Sequence, residues 1–164
     1  MISLGIDPGT ASLGYGFVRE HGDGSLEAVH FGVIRTRSGT AMPERLFKIH
    51  RELGRLIAEF EPDRAGVEEL FFSRNVTTAI TVAQARGVIL LTLQSAGIPV
   101  AEYKPNMVKQ AITGYGGAEK AQMQEVVRLL LELDTVPKPD DAADGLAVAI
   151  TDIHSYRLSA VNPL

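Results

Sequence analysis

The sequence predicts an α/β fold in which one five-stranded mixed sheet is flanked by helices. The first third of the chain holds short apolar runs separated by turn residues, which predicts an antiparallel meander. After residue 43, apolar runs alternate with amphipathic segments, the pattern of strands joined by helical crossovers. A length of 164 residues, 45% apolar and 22% charged, is typical of one globular domain that buries its own core.

Three strands open the chain. The run 2–7 ends at Pro8-Gly9, the run 14–19 resumes after a turn-rich stretch, and the run 26–36 follows a His-Gly-Asp-Gly turn. Pro43 then begins a helix over 43–60, whose apolar residues recur at helical spacing. The following strand, 65–70, is reached through that helix and should therefore lie parallel to its neighbour.

The second half of the chain is mostly helical. Residues 77–96 are apolar on most sides, which predicts a helix buried by its own sheet and by a partner subunit. A fifth strand is predicted over 98–103, followed by helices over 105–112, 118–133 and 141–157. We expect a single domain over 1–158 and a short tail over 159–164. Gly145 lowers the stability of the last helix by up to about 1 kcal/mol and is assigned no role.

Composition excludes several classes of function. The chain has no cysteine, so it has neither thiol nucleophiles nor Cys–metal sites. It has no apolar run of membrane-spanning length and no signal-peptide pattern, so the cytoplasm is the expected compartment. The net charge of −4 argues at first against a nucleic-acid partner. The segment 74–120, however, carries 5 basic and 2 acidic residues.

Four carboxylates stand out by position. Asp7 ends the first strand, Glu68 lies near the end of the fourth, and Asp141 and Asp144 share one face of the last helix. Each alone has a structural explanation, as a turn former, an edge charge or a helix cap. If the first and fourth strands are adjacent and parallel, however, the four acids converge at one sheet end, where they would repel one another without cations.

Oxygen-only ligands favour magnesium or manganese. Two such ions about 3.5–4 Å apart would clamp a phosphate and stabilise a departing 3′-oxygen. The four acids therefore predict a two-metal site, with Mg²⁺ or Mn²⁺ as cofactor, that hydrolyses phosphodiester bonds.

The chain resembles the RuvC family of bacterial Holliday-junction resolvases. The matching motifs occur in family order: GIDPGT at 5–10, GYG at 14–16, VEELF at 67–71, QARGV at 84–88, VKQ at 108–110, AEK at 118–120 and DAADGLA at 141–147. The resemblance implies an RNase H-like fold and catalytic metal ligands at Asp7, Glu68, Asp141 and Asp144. Asp140 adds a fifth acid to which the resemblance assigns no role.

The resemblance also implies DNA contacts. Phe71 matches an aromatic residue that stacks on unpaired bases, although Phe71 and Phe72 could instead cap the core. Arg74, Lys109 and Lys120 match positions near DNA, and Lys120 is expected close to the scissile phosphate as a catalytic residue. For an isolated Lys or Arg, a solvated surface role is the alternative.

The implied activity is resolution of four-way DNA junctions in recombination and repair. A homodimer would nick two opposed strands symmetrically, leave 5′-phosphate and 3′-hydroxyl ends, and cooperate with the RuvA–RuvB branch-migration complex. Two alternatives stay open: a ribonuclease of the same fold and a non-catalytic junction-binding protein. An ATP-using enzyme of the actin and sugar-kinase class is disfavoured because it needs two such domains.

Overall fold

The computed structural model describes residues 1–70 and 76–161. The elements follow the predicted order. They are β1 (Ile2–Asp7), β2 (Ser12–Glu20), β3 (Leu26–Arg35), α1 (Met42–Phe60), β4 (Arg64–Glu68), α2 (Val76–Ser95), β5 (Val100–Tyr103), α3 (Pro105–Thr113), α4 (Lys120–Leu130) and α5 (Asp140–Val161). Helix α5 continues to Val161, so the domain boundary at residue 158 stays a prediction.

The five strands form one mixed sheet in the order β3-β2-β1-β4-β5. Strands β1, β2 and β3 pair antiparallel, as the short turns between them predict. Strands β4 and β5 extend the sheet in parallel on the other side of β1. The predicted parallel contact between the first and fourth strands is therefore confirmed.

The period-two alternation of the strands divides the core into two layers. On β1, Leu4 and Ile6 face helices α1 and α2, and on β2 Leu13 and Phe17 face the same way. Helix α5 covers the opposite face of the sheet, and α3 and α4 pack against α5. Ser3, Gly5 and Asp7 alternate with the buried apolar residues of β1 and therefore face α5.

Helix α5 packs directly on the backbone of β1 and β2. A methyl group at Gly145 would lie 2.6 Å from the Tyr15 backbone, and one at Gly14 would overlap the Asp141 carbonyl. A methyl group at Gly5 would overlap the backbone of the same helix. Gly145 is therefore required by this close approach, and its treatment as a minor defect in the last helix was wrong.

A buried ion pair holds the middle of α5 to the sheet. Asp152, fully buried, accepts hydrogen bonds from Arg64 Nε at 2.6 Å, Ser3 Oγ at 2.7 Å and the Tyr103 hydroxyl at 2.8 Å. Burial and the Asp152 charge raise the pKa of Tyr103 to about 12, so its hydroxyl stays a donor. These three donors come from β1, β4 and β5, and they satisfy a carboxylate that would otherwise be costly to bury.

Within the described ranges 1–70 and 76–161, no helix is both long enough and apolar enough to cross a membrane.

Candidate metal centre

The first two acids lie side by side where two parallel strands end. Strand β1 ends at Asp7 and β4 ends at Glu68. The last registered pair between these strands is Ile6 with Val67, so Asp7 and Glu68 come next on the face that α5 covers. Their side chains are hydrogen-bonded to each other.

The other two acids come from the first turns of α5. Carboxylate oxygens of Asp7, Asp141 and Asp144 lie within 4.8 Å of one another. Asp7 pairs with Gly14 across the β1–β2 ladder, and Asp141 lies directly over Gly14 because no side chain stands between them. The glycine therefore sets the distance between the first and last parts of the chain at this site.

Crowding alters the protonation of the acids. Burial, then the charge and hydrogen bond of Glu68, then Asp144 and Asp141, raise the pKa of Asp7 to about 8. Burial also raises the pKa of Glu68, although its hydrogen bond with Asp7 works against this. Near neutral pH and without cations, Asp7 therefore holds a proton that it donates to Glu68.

One cation lies within hydrogen-bond distance of the cluster. Lys120, the first residue of α4, donates from Nζ to Asp144 Oδ2 at 2.8 Å. Burial raises the pKa of Asp144, and the lysine works against that rise. Partial burial opposes the charge of Lys120, but its bond with Asp144 and the neighbouring acids outweigh this and raise its pKa. The lysine therefore stays charged while its side chain is 52% exposed.

A groove leads away from the acids over α3. A cavity of about 230 Å³ is lined by Glu68, Lys109, Lys120 and Asp144, among others. It adjoins a second cavity of about 560 Å³, whose lining includes Lys104 and shares Lys109. Among the described residues, neither Lys104 nor Lys109 makes an ion pair. We call it the lysine groove, because Lys104 and Lys109 add positive charge to it without an ion-pair partner among the described residues.

The structure brings the predicted acids, Lys109 and Lys120 to one edge of the sheet. Phe71 and Arg74 lie outside the described residues. Asp140 is exposed and pairs with Lys138 at 2.8 Å, which holds its pKa below the usual range. The fifth acid is therefore outside the group whose oxygens converge.

Sequence reasoning missed two residues here. Ser12 donates from Oγ to Asp141 Oδ2 at 2.6 Å, and nothing in the turn sequence distinguishes it from an ordinary turn serine. Lys104 follows β5, the third parallel strand to end at this edge. The carboxyl ends of parallel strands gather binding residues, so a usable signal for Lys104 existed.

Comparison with known proteins gives a consistent result. The family model described as Crossover junction endodeoxyribonuclease RuvC matches residues 3–152. A protein of that description from Syntrophomonas wolfei is 57% identical over 157 residues, which cover 96% of this chain and 91% of the relative.

Solved structures agree with the sequence matches. The RuvC structure from Thermus thermophilus is 37% identical, with a TM-score of 0.90 and 97% of each chain covered. The complex of T. thermophilus RuvC with a Holliday junction substrate is 34% identical, with a TM-score of 0.88 and 96% of each chain covered. The fold is therefore RNase H-like, as predicted, and the chain belongs to the crossover junction endodeoxyribonuclease RuvC family.

Proposed function

We propose that the protein is an endonuclease that resolves four-way DNA junctions by hydrolysing phosphodiester bonds. The observation that carries this function is the cluster of carboxylate oxygens from Asp7, Asp141 and Asp144 within 4.8 Å, with Glu68 bonded to Asp7, in a chain of this family. The products are expected to carry 5′-phosphate and 3′-hydroxyl ends. Because the substrate is chromosomal DNA, we expect the protein in the cytoplasm.

The donor set fits divalent cations. Asp7, Glu68, Asp141 and Asp144 offer only oxygen atoms, which Mg²⁺ and Mn²⁺ prefer. Burial, and after it the charges of the neighbouring acids, raises the pKa of Asp7, so an ionised Asp7 is unfavourable here without a cation. We assign two ions to each site, and when bound they supply Lewis-acid stabilisation of the phosphate and a water of lowered pKa.

The protein's own residues orient these groups. Ser12 fixes Asp141, and Lys120 fixes Asp144 through a hydrogen bond of 2.8 Å. Lys120 keeps free N–H donors that can reach a phosphate oxygen, since an ammonium group has three and Asp144 takes one. We therefore assign Lys120 a catalytic role in binding the scissile phosphate.

The lysine groove gives the DNA a path to the acids. Lys109 lies between the site and Lys104, so a strand that follows the two cavities passes both cations. Phosphate contacts of this kind position DNA without reading its sequence. Stacking by Phe71 and a phosphate contact by Arg74 stay predictions from the family resemblance.

Helix α2 provides the surface for a homodimer. Between residues 80 and 94 its exposed residues form an uncharged stripe: Ile80, Ala83, Gln84, Gly87, Leu91 and Gln94. Ile80 is 57% and Leu91 63% exposed. Arg86, the one charged residue of the helix, is in an ion pair with Glu102 of β5. A second copy packed on this stripe would bury it and present two identical sites to a two-fold junction.

Cooperation with RuvA–RuvB is proposed from the family resemblance.

The first prediction concerns catalysis. Asp7→Asn should lower the cleavage rate of a synthetic four-way junction by more than about 100-fold, because it removes the central ligand. Binding should be retained. Asp140→Asn is the matched control, since Asp140 lies beside Asp141 but pairs with Lys138. Its cleavage rate should stay within about threefold of wild type. Wild-type rates for Asp7→Asn, or equal losses in both variants, would contradict the assignment.

The second prediction concerns metal-free stability. The pKa of Asp7 rises from 3.8 when unfolded to about 8 when folded, so the folded acid holds its proton after the unfolded one has lost it. Wild-type stability should therefore fall as the pH rises from 4 to 8. Asparagine cannot ionise but still donates to Glu68. In EDTA, Asp7→Asn should melt at least about 4 °C above wild type at pH 8, and the difference should shrink at pH 5.

Added Mn²⁺ should reverse this order. The metal should raise the melting temperature of wild type and have a much smaller effect on Asp7→Asn. Equal melting temperatures at both pH values, or equal stabilisation of the two proteins by Mn²⁺, would be evidence against a metal site centred on Asp7.

The third prediction concerns the dimer. In light scattering, wild type should have the mass of a dimer, twice 17.7 kDa. Leu91→Glu should have the mass of one chain, because the dimer interface would bury two added charges. Leu129→Glu is the control, since Leu129 is 57% exposed but lies on α4, on the opposite face of the sheet. A wild-type protein with the mass of one chain, or dissociation by both substitutions alike, would refute the α2 interface.

A further inference from the structure

A polar hollow lies where the loop that follows Asp7 meets helices α1 and α2. It has a volume of about 350 Å³, and its lining includes Gly9, Thr10, Ser12, Arg45 and Thr81. We call it the Thr10 hollow. The loop that forms it follows Asp7 directly, and Ser12 in the same loop is bonded to Asp141.

The hydroxyl of Thr10 has no hydrogen-bond partner among the described residues. Thr10 is 6% exposed, and its Oγ1 is buried without a donor or acceptor in reach. A buried hydroxyl left unpaired destabilises the folded protein. Thr10 lines the hollow although Oγ1 itself is closed off from solvent, so a turn of this side chain brings the hydroxyl to a ligand oxygen there.

Arg45 supplies the positive charge of the hollow. Its Nε donates to Thr36 Oγ1 at 2.7 Å, and Thr36 Oγ1 in turn donates to the Thr10 carbonyl at 2.6 Å. These two bonds fix the guanidinium next to the Thr10 loop. Within the part of the chain that the structure describes, Arg45 makes no ion pair, so its terminal nitrogens keep their donors.

The other hydroxyl-bearing residues that line the hollow, Ser12, Thr78 and Thr81, all have partners. Ser12 donates to Asp141, and Thr81 donates to the Thr78 carbonyl at 3.0 Å. The groups of the hollow that are available to bind a ligand are therefore the Thr10 hydroxyl and the terminal nitrogens of Arg45. A charged donor fork beside a hydroxyl suits an oxyanion, and a phosphate fits it better than a neutral ligand does.

We propose that the Thr10 hollow binds a backbone phosphate of the DNA strand beside the phosphate that is cut, through the Thr10 hydroxyl and the Arg45 guanidinium. This proposal rests on the proposed junction cleavage. Thr10 is three residues beyond Asp7 and so at most about 11 Å from it. The bound phosphate is therefore one of the backbone phosphates near the cut.

Junction binding tests the proposal in the Asp7→Asn background, which leaves the DNA uncut. Arg45→Ala should weaken binding about tenfold and reduce the slope of log K against log salt by about 0.9, the value for one phosphate. Thr10→Val should weaken binding about threefold without lowering the melting temperature, because valine fills the space and removes an unpaired hydroxyl. Arg51→Ala is the control: Arg51 is exposed on the same helix and does not line the hollow.

Binding and salt slopes for Arg45→Ala and Thr10→Val that equal those of Arg51→Ala would overturn the proposal. A lower melting temperature for Thr10→Val would also do so, since it would mean that the hydroxyl is satisfied in the folded protein. A parent protein that fails to bind junctions would refute the proposed function instead.

A DNA-free measurement then decides the proposal by itself. Inorganic phosphate should shift the amide resonance of Thr10 in wild type and Arg51→Ala, and the shift should be lost in Arg45→Ala. The absence of a shift in wild type would overturn the phosphate site.

Discussion

The site depends on the direct contact between helix α5 and the backbone of β1 and β2. That contact exists because glycines at positions 5, 14 and 145 leave no side chains between the two layers. Interiors pack without gaps, so a methyl group at any of these positions would push the helix outward. Asp141 and Asp144 would then move away from Asp7, because the sheet holds Asp7 in place. These glycines therefore set the distance between the acids of the cluster, although they are not metal ligands themselves.

The same contact gathers charges that oppose folding. Burial and neighbouring acids raise the pKa of Asp7 to about 8, which is an unfavourable arrangement in the absence of cations. Further along α5, stabilising interactions compensate for these charges. Ala149 and Ile150 are buried, and Asp152 accepts hydrogen bonds from Arg64, Ser3 and Tyr103. The middle of the helix thus stabilises the fold, whereas the acids of its first turns destabilise it in the absence of cations. Function and stability are separated along one element, as is common where a site is preorganised.

Much of this arrangement could be predicted from the sequence. Strand and helix periodicity predicted the element order, and the crossover rule predicted that β4 is parallel to its neighbour. Asp7 and Glu68 were expected together on the condition that this neighbour is β1. Periodicity assigns a residue to a face but does not set the distance between layers. For that reason Gly145 appeared only as a poor helix former, and the bonds from Ser12 to Asp141 and from Lys120 to Asp144 were not foreseen. The Thr10 hollow was missed for the same reason, since the loop after β1, α1 and α2 that line it are distant in sequence and meet only in the folded chain.

The most direct test of the central claim, that α5 and the sheet assemble a metal-dependent junction nuclease, is a substrate panel for the purified protein. A four-way junction, a linear duplex of the same sequence and an RNA–DNA hybrid are incubated with Mg²⁺, with Mn²⁺ or with EDTA. The account predicts paired, symmetric nicks in the junction only, sealed by DNA ligase because they carry 5′-phosphate and 3′-hydroxyl ends, and no cutting in EDTA. Cleavage of the RNA strand of the hybrid, or junction cleavage that persists in EDTA, would contradict it.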